Sequence, residues 1–490
     1  MRKRVIAAAV AAAAAGGIAV ALVWSRRSAR RWERAERIVQ ELREGCHTPV
    51  TRLWEVADAM ASEMRAGLSS DGGSSLRMLV TPLESLPTGN EEGLFYGLEI
   101  NQTTIRMLCV QLGGMDARVI KKHLAEVPVP SNLMVGTSED LYDFIAAELS
   151  KFISAEELSY NIQDRRPKEI GVTFSFPVIQ NLASNGTIIE WTNGFSIKET
   201  GEKDAAAEIN KALEKHGVDM HVSFLVNDTV GAFGGARYCS SDTMAAVTLG
   251  MGTNAAYMEP LHAIPKWQGP HPMQGVMIIN MEWGNFQSSH FPITEFDVQI
   301  DAESPKPGGK VFEKLISGMY LGDIVRRVLL KMAEETALFG DTVPLKLRIP
   351  FVLRTPDVAS MHQDLSQDLS LVGEKLEECL GIPNTTVRMR QLVVEVCDIV
   401  AKRGARLAGA AIVGILKKLK RDGTDKKSVV MVEGALYEHY RLFRAYLHDG
   451  VKMMLHGRNL DNVIIEHSGD GCVIGAALLA ASKSGHATNS

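Results

Sequence analysis

The sequence predicts an α/β protein built from two related lobes that face one cleft. Its 490 residues are enough for two large lobes, each with a substantial core. Runs rich in β-branched residues alternate along the chain with amphipathic helical patterns. Two of these runs end in polar turns of the kind that hold phosphates, one near residue 101 and one near residue 251. This repeated strand and turn indicates that the two lobes are related.

The predicted strands are short apolar runs that turn residues close. Phe95–Ile100 and Ile105–Leu112 are joined at Asn101–Thr104 in a hairpin pattern. Further strands are predicted at Glu169–Phe176, Met220–Val226, Met244–Leu249, Val276–Met281, Val429–Val432 and Val463–Glu466.

The predicted helices have apolar residues at helical spacing, as Trp32, Ile38 and Leu42 do near the start of the chain. Helices are predicted over Arg30–Met64 with a break near Pro49, and over Leu141–Ile153, Ala205–His216, Phe312–Ala337, Gln391–Lys420, Leu436–Leu455 and Ile474–Ser482.

The first segment of the chain has the pattern of a membrane anchor. Val5–Trp24 is an unbroken run of 20 apolar and glycine residues. At about 1.5 Å per residue, such a helix spans a hydrocarbon core of roughly 30 Å. Basic residues flank it on both sides, and Arg26, Arg27, Arg30 and Arg31 favour a cytosolic position for the bulk of the chain. A cleaved signal or transit peptide is the alternative.

Composition excludes several classes of protein. Hydrophobic residues make up 46% and charged residues 23% of the chain, as in an ordinary globular enzyme. The net charge of −5 gives no reason to expect a nucleic-acid partner. The 6 cysteines are scattered without a CxxC pair, so we predict neither a zinc site nor a disulfide framework. No residues are assigned to a metal.

Two strand ends carry the residues most informative about function. One apolar run ends in Asn227 and Asp228, and another ends in the glycine-rich turn Gly250–Asn254. A carboxylate and an amide suit a polyol, whereas the backbone N–H groups of a glycine-rich turn suit a phosphate. A protein that transfers a phosphate to a sugar needs both.

Seven segments in order resemble the eukaryotic hexokinases, and most closely the membrane-anchored hexokinases and hexokinase-like proteins of plants. The segments are Thr173–Val178, Trp191–Phe195, Leu225–Gly231, Gly250–Tyr257, Asn280–Phe286, Phe312–Val325 and Gly475–Ala480. The resemblance extends over residues 40–483 and implies the actin-like ATPase fold. In that fold two α/β lobes surround a hexose cleft, and ATP enters beside it.

The resemblance also implies a domain plan and a cellular address. The plan is a membrane anchor with its basic flank at 1–31, N-terminal helices packing on the large lobe at 32–89, a small lobe at 90–235 completed by 460–483, a large lobe at 236–459 and a tail at 484–490. The anchor resembles the one that places plant relatives on the outer mitochondrial membrane as single-pass proteins. A plastid location is the alternative.

A hexose site follows from the resemblance, with glucose as the first candidate. The residues it implies are Ser175, Thr192, Asn193, Asn227, Asp228, Asn254, Glu282 and Glu313. Asp228 matches the general base of the family, which accepts the proton of the attacking 6-hydroxyl. Asn193 stands where the family has a lysine; the other seven are of the expected type. A full set matters, because an unpaired buried polar group costs about 1–3 kcal/mol.

The nucleotide side departs from the family pattern. The implied nucleotide-binding residues are Thr103, Arg106, Gly250, Gly252, Thr253 and Gly434, which would hold ATP with Mg²⁺ if the protein is active. The residues that differ from the family are Glu99, Asn101, Gln102, Asn193, Met251, Glu433, Ala435 and Val473. The family has glycines at 101 and 102, a lysine at 193, a threonine at 251 and aspartates at 99 and 433.

These departures lead to two alternative functions. The leading prediction is a hexose-binding protein with a weak or absent phosphotransferase activity and a sugar-responsive regulatory role. Single donors to a developing oxyanion are worth roughly 3–4 kcal/mol of barrier, so losing several slows turnover by decades. The alternative is an active ATP-dependent hexokinase that phosphorylates glucose or fructose at the 6-hydroxyl in glycolysis. The sequence does not identify a protein partner.

Overall fold

A computed structural model gives the fold of most of the chain. It describes residues 29–82, 86–101, 103–115, 117–160, 168–181, 184–191, 195–197, 204–269, 275–457, 460–468 and 471–483. The predicted anchor at Val5–Trp24, and the site positions Gln102, Thr192 and Asn193, lie outside these ranges. None of the helices in the described ranges is long and apolar enough to cross a membrane.

The helices follow the predicted order. A first helix, α1, covers residues 29–45. The others are α2 Val50–Ser69, α3 Ser138–Tyr160, α4 Ala205–Lys215, α5 Asp228–Cys239, α6 Glu295–Glu303, α7 Val311–Ile316, α8 Leu321–Thr336, α9 Thr355–His362, α10 Ser370–Leu380, α11 Val387–Lys418, α12 Ala435–His439, α13 Arg441–Leu455 and α14 Gly471–Lys483.

The strands include all of those predicted and several more. They are β1 Leu79–Thr81, β2 Glu92–Ile100, β3 Thr104–Gly113, β4 Ala117–Pro128, β5 Lys168–Phe174, β6 Val178–Asn181, β7 Ser184–Ile188, β8 Met220–Asn227, β9 Thr243–Leu249, β10 Thr253–Pro260, β11 Val276–Asn280, β12 Ser428–Glu433 and β13 Val463–His467.

Two predicted long helices are each two helices in the structure. Phe312–Ala337 divides into α7 and α8 because Gly318 lies against the turn at Gly250, where its N–H donates to the Gly250 carbonyl at 2.8 Å. A Cβ at residue 318 would lie only 2.7 Å from that carbonyl oxygen, so the approach requires a glycine. Leu436–Leu455 divides at Tyr440, whose backbone is non-helical.

A five-stranded sheet has the strand order β4-β3-β2-β5-β8. β2 and β3 form the predicted hairpin, and β5 and β8 continue the sheet in parallel with β2. In this register Ile100 pairs with Phe174, and Phe174 pairs with Asn227. Because parallel strands end at the same edge of a sheet, the turn after β2 and the acid after β8 lie at one edge.

A six-stranded sheet repeats this arrangement. Its order is β1-β11-β10-β9-β12-β13, with β9 and β10 as a hairpin and β12 and β13 parallel to β9. Thr248 near the end of β9 pairs with Glu433 at the end of β12. The glycine-rich turn after β9 therefore lies beside the end of β12, as the turn after β2 lies beside the end of β5.

Helix α14 packs very closely against α5 and the five-stranded sheet. A Cβ at Gly475 would lie 1.8 Å from the carbonyl oxygen of Gly231, and one at Gly171 would lie 1.8 Å from that of Ala476. No side chain fits at such distances, so glycine at these positions lets the two backbones meet. The contact fixes α5, and with it Asp228 at the first turn of that helix.

The chain forms two compact units. The first contains the described residues of Met1–Thr48 together with Pro292–Pro307 and Met319–Gly404, and the second contains the rest. These two sheets and the small sheet of β6 and β7 lie in the second unit, so the division into a small lobe at 90–235 and a large lobe at 236–459 stays a prediction.

In the first unit, the fully buried Arg403 donates two hydrogen bonds to Asp297, at 2.6 and 2.7 Å. Burial alone would raise the pKa of Asp297, but the guanidinium outweighs it and holds that pKa below its ordinary value. This buried pair joins α6 to α11.

Candidate functional site

Most of the predicted site residues line one cavity of about 340 Å³ in the second unit. Its lining includes Glu99, Asn101, Thr103, Ser175, Asn227, Asp228, Thr248, Gly250, Met251, Gly252, Thr253, Asn254, Glu282, Lys310, Glu313, Gly434 and Ala435. The lining residues come from the edge of each sheet that the two predicted phosphate turns occupy. Thr192 and Asn193 lie outside the described residues, and Arg106 is not among those that line the cavity.

Asn227 and Asp228 are positioned by the junction of β8 and α5. Asn227 is the N-cap of α5, and its side-chain oxygen accepts a hydrogen bond from the Thr229 N–H at 3.0 Å. Its side-chain nitrogen donates to the Phe176 carbonyl at 3.1 Å. Asp228 also accepts from the Thr229 N–H, at 2.7 Å. Both side chains are therefore held at the positive end of a helix.

The pKa of Asp228 is raised because the carboxyl group is buried. Hydrogen bonds from Ser175 and from the backbone and side chain of Thr229 oppose this rise. Such a carboxylate is a better proton acceptor than a free aspartate, as a general base requires. The structure brings Ser175 and Asp228 together, as predicted.

A network of amides and one carboxylate lies beside Asp228. The side-chain nitrogen of Asn254 donates to Asn227 at 3.0 Å and to Asn280 at 2.8 Å. Asn280 in turn donates to Glu282 Oε1 at 3.0 Å. Asn280 was not predicted as a site residue, although it ends strand β11 just as Asn227 ends β8. Its position at a strand end within a matching segment was the available signal.

Glu282 follows β11 in a left-handed backbone conformation, with φ of 51°. Burial raises the pKa of its carboxyl group, and the Asn280 hydrogen bond and the Lys310 charge oppose that rise. The next residue, Trp283, is fully buried and donates from its indole to the Thr253 hydroxyl at 2.8 Å. This bond ties the turn at Glu282 to the start of β10.

Glu313 reaches the cavity from the first turn of α7. Its Oε2 accepts from the Thr253 N–H at 3.3 Å, and its Oε1 lies 3.3 Å from the Lys310 ammonium. Lys310 was not predicted, because nothing in the apolar pattern marks it. Its only sequence signal is its place three residues before Glu313 on the N-terminal side of a helix.

The first predicted phosphate turn is closed by the side chain of Asn101. The Asn101 oxygen accepts from the N–H groups of Thr103 and Thr104, at 3.0 and 2.9 Å, and from the Thr104 hydroxyl at 3.1 Å. A glycine at this position would leave both N–H groups free to meet a phosphate. In this chain Asn101 is their partner instead.

The second phosphate turn keeps its glycines but has an apolar side chain. Gly250 N–H donates to the Gly252 carbonyl at 3.0 Å, which closes the turn. Met251 extends from it with 52% of its surface exposed and lines the cavity. Gly434, with φ of 106°, lies so close that a Cβ would be 2.4 Å from the Leu249 carbonyl oxygen. The predicted residues Gly250, Gly252, Thr253 and Gly434 are thus brought together.

Two buried carboxyl groups lie near this phosphate edge. Burial raises the pKa of Glu433 to about 8, and the nearby Glu99 adds to the rise. Burial also raises the pKa of Glu99, against the opposing charge of Arg106, which donates to it at 2.8 Å. Arg106 is therefore engaged with Glu99.

Magnesium would reach this site with a nucleotide. Among the described residues, no three His, Cys, Asp or Glu side chains form a metal-binding group. Mg²⁺ in kinases is held mainly by phosphates with one or two carboxylates, so the lining carboxylate Glu99 fits such an ion.

Val473 does not take part in the phosphate edge. Counting it among the changes at the nucleotide site was wrong, because its side chain is fully buried in a cluster with Leu108, Val110 and Leu112. Its carbonyl oxygen would lie 2.2 Å from a Cβ at Gly97, so this turn of α14 packs on β2. Of the altered positions within the described ranges, Glu99, Asn101, Met251 and Ala435 line the cavity.

Comparison with known proteins gives matches over the whole chain. Two family models, both described as hexokinase, match residues 38–238 and 244–482. The chain is 51% identical to hexokinase-1 of Spinacia oleracea over 490 residues, which is 99% of this chain and 98% of that protein. It is 54% identical to hexokinase-2 of Oryza sativa subsp. japonica over 489 residues, again 99% of this chain and 98% of that protein.

Solved structures give the same result. The hexokinase from Schistosoma mansoni complexed with glucose superposes with a TM-score of 0.80 and 29% identity, covering 92% of this chain and 99% of that one. A further crystal structure of a hexokinase has a TM-score of 0.77 at 26% identity, covering 91% of this chain and 99% of that one.

Proposed function

The chain belongs to the hexokinase family, with its actin-like ATPase fold, and from that premise we propose that it phosphorylates a hexose with ATP. The hexose would bind in the cavity beside Asp228. Relatives named hexokinase match this chain over almost its whole length, which favours an active enzyme over a regulator. The Schistosoma mansoni hexokinase is complexed with glucose, which supports a hexose as the substrate here.

One observation carries the proposal: a continuous hydrogen-bonded network lies beside a buried acid. Asn227, Asn254, Asn280 and Glu282 hold one another in fixed orientations around the cavity. Their remaining acceptors and donors suit the hydroxyl groups of a sugar. A preorganised polar wall of this kind lowers the cost of ordering the ligand.

Asp228 has the chemistry of the base. The attacking hydroxyl oxygen of the hexose forms a bond to the γ-phosphorus of ATP, and the bond from that phosphorus to the bridging oxygen breaks. The proton of the hydroxyl passes to Asp228, whose raised pKa suits it to accept a proton. Mg²⁺ bound with ATP would neutralise phosphate charge. ADP leaves with the electron pair of the broken bond.

A second candidate function is a hexose-binding protein in which this transfer is slow or absent. The observation that favours it is the phosphate edge, where Asn101 occupies two turn N–H groups and Met251 replaces a hydroxyl. Such a protein would still bind hexose and could act as a sugar-responsive regulator. For either function we propose a location on the outer mitochondrial membrane through Val5–Trp24, with the plastid as the alternative.

A coupled assay of hexose 6-phosphate formation from glucose and MgATP separates the two functions. Full-length protein is compared with Asp228→Asn, and glucose binding is measured by calorimetry on the same samples. Turnover within the usual range of about 1–10³ s⁻¹, abolished in the variant, supports the active enzyme. Glucose binding without turnover supports the second candidate. If glucose does not bind at tens of millimolar, both are wrong.

A further inference from the structure

Lys310 is the single side-chain cation among the described residues that line the cavity. Four carboxylates line the same cavity: Glu99, Asp228, Glu282 and Glu313. Without a cation, such a pocket would attract a positively charged ligand, because charges interact strongly where water is largely excluded. The position of Lys310 therefore bears on which sugars the pocket accepts.

The backbone of Lys310 is held in an unfavourable conformation. Its φ of 52° and ψ of 39° are left-handed, which an L-residue with a Cβ adopts at a cost. Neighbouring contacts hold it there: Lys310 O accepts from the Lys314 N–H at 3.1 Å, and Gln287 donates to the Gly308 carbonyl at 2.8 Å. Residues held in a strained backbone conformation by their surroundings cluster at functional sites.

With this backbone conformation, the ammonium group of Lys310 lies near the carboxylates of Glu313 and Glu282. The Lys310 Nζ lies 3.3 Å from Glu313 Oε1, and the Lys310 side chain is only 22% exposed. Its charge also acts on Glu282, which bonds to Asn280 at 3.0 Å. Lys310 thus offsets part of the negative charge of two predicted sugar-binding carboxylates, and it remains a donor for a hydroxyl oxygen.

We propose that Lys310 makes the pocket select neutral hexoses over hexoses that carry an ammonium group. This inference rests on the proposed hexose site. A neutral sugar gains a donor from the ammonium, whereas the ammonium of an amino sugar meets a like charge in the same small cavity. The four carboxylates alone would give the opposite preference.

The test is the binding of three sugars to the full-length protein, measured by calorimetry without ATP. The sugars are glucose, glucosamine and 2-deoxyglucose. In Lys310→Met, glucose should bind about 10-fold more weakly, because a hydrogen bond from a charged donor is lost. The affinity of glucosamine relative to glucose should rise by at least about 10-fold. Lys310→Arg keeps the charge and should keep the original preference.

2-Deoxyglucose separates charge from the loss of the 2-hydroxyl. Its affinity relative to glucose should rise less in Lys310→Met than that of glucosamine, because 2-deoxyglucose carries no ammonium group. A change that follows glucosamine would show that the 2-substituent, not its charge, is recognised, and would overturn the proposal. An unchanged ratio of glucosamine to glucose in Lys310→Met would overturn it as well.

Two substitutions by glycine test the backbone strain at Lys310. Lys310→Gly and Lys420→Gly both relieve a left-handed lysine, since φ of Lys420 is 56°. Both variants should melt a few degrees higher, roughly 1–3 °C, without sugar. Only Lys310→Gly should lose the preference for glucose; equal preferences in the two variants would contradict the proposal. If the original protein binds no glucose at all, the proposed hexose-binding function itself is wrong. If it binds glucose but Lys310→Met and Lys310→Gly keep its preference for glucose over glucosamine, only this inference is wrong.

Discussion

At the scale of single residues, the site combines side chains that local sequence marks with others that only the fold brings in. Asn227 ends a strand, Asp228 follows it directly and Asn254 lies at the start of another strand, all inside recognisable segments, so the sequence predicts them. Asn280 ends a strand inside a matching segment, a signal that was available but not used. Lys310 reaches the site through a left-handed turn, which leaves no periodic signal. Contacts between residues distant along the chain could not be derived from one sequence.

Replacing the proposed base is the most direct test of the chemistry. Asp228→Asn should lower kcat by about 10²–10⁴, because an amide cannot accept the proton. In the original protein, activity should fall as pH drops through a pKa above the ordinary value for aspartate, since burial raises the pKa of Asp228. A pH–rate profile with no acid limb above about 4 would contradict this assignment.

The same substitution should stabilise the protein without ligand. The folded-state pKa of Asp228 is raised, so its contribution is most favourable at low pH and is lost as pH rises through the unfolded and then the folded pKa. At neutral pH the ionised acid therefore weakens folding. We expect Asp228→Asn to gain about 0.5–2 kcal/mol in urea unfolding at pH 7, and no gain at pH 3.

Asn280 is expected to hold Asn254 and Glu282, two predicted sugar-binding residues, in position. Asn280→Ala removes the partner of Asn254 and Glu282, and leaving such groups unpaired costs about 1–3 kcal/mol. Glucose affinity measured by calorimetry should fall by at least about 10-fold. Asn210→Ala is the matched control, because Asn210 makes two backbone bonds to Val222 and does not line the cavity. It should lose stability but keep glucose affinity; equal losses of affinity would contradict the role of Asn280.

Restoring the phosphate edge tests whether it limits turnover. Asn101→Gly frees the N–H groups of Thr103 and Thr104, and Met251→Thr returns a hydroxyl. Combined with Asn193→Lys, these changes should raise kcat by at least about 10-fold, since one donor to an oxyanion is worth 10²–10³ in favourable cases. The coupled assay measures this. A triple variant no faster than the original protein would show that these residues do not limit the rate.

At the scale of elements, helices and strands were predicted correctly where the spacing of apolar residues along the chain matches the face that the element buries. The β2–β3 hairpin, α4 and β8 agree closely with the sequence, whereas α5 was not predicted. The β4 strand was missed because its exposed edge carries residues such as Lys121 and Lys122 instead of a continuous apolar run. The break between α7 and α8 was missed because its cause, the approach of Gly318 to Gly250, is not local.

The contact of α14 with α5 gives a sharp prediction at this scale. Gly475→Ala places a Cβ where the Gly231 carbonyl oxygen would be 1.8 Å away, so the helices must separate. We expect a loss of about 3 kcal/mol or more in urea unfolding, and a lower glucose affinity because α5 carries Asp228. Gly450→Ala in α13 is the control: its nearest neighbour would be 3.4 Å away, and alanine favours a helix by up to about 1 kcal/mol. Similar losses in both variants would contradict the packing argument.

At the scale of the whole molecule, attachment to a membrane is expected to depend on the first segment alone. Val5–Trp24 has the length and composition of a span, and the described residues contain no helix with both. A fluorescent fusion lacking residues 1–31 should therefore lie in the cytosol, whereas the full-length fusion should lie on the outer mitochondrial membrane. Replacing Ala14 and Ala15 by aspartate should have the same effect as the deletion, since each charge at the centre of a span costs about 2.5–3.5 kcal/mol. N-terminal sequencing of the membrane-bound protein is the deciding control: a chain that starts near residue 25–35 would show a cleaved targeting peptide and refute the anchor.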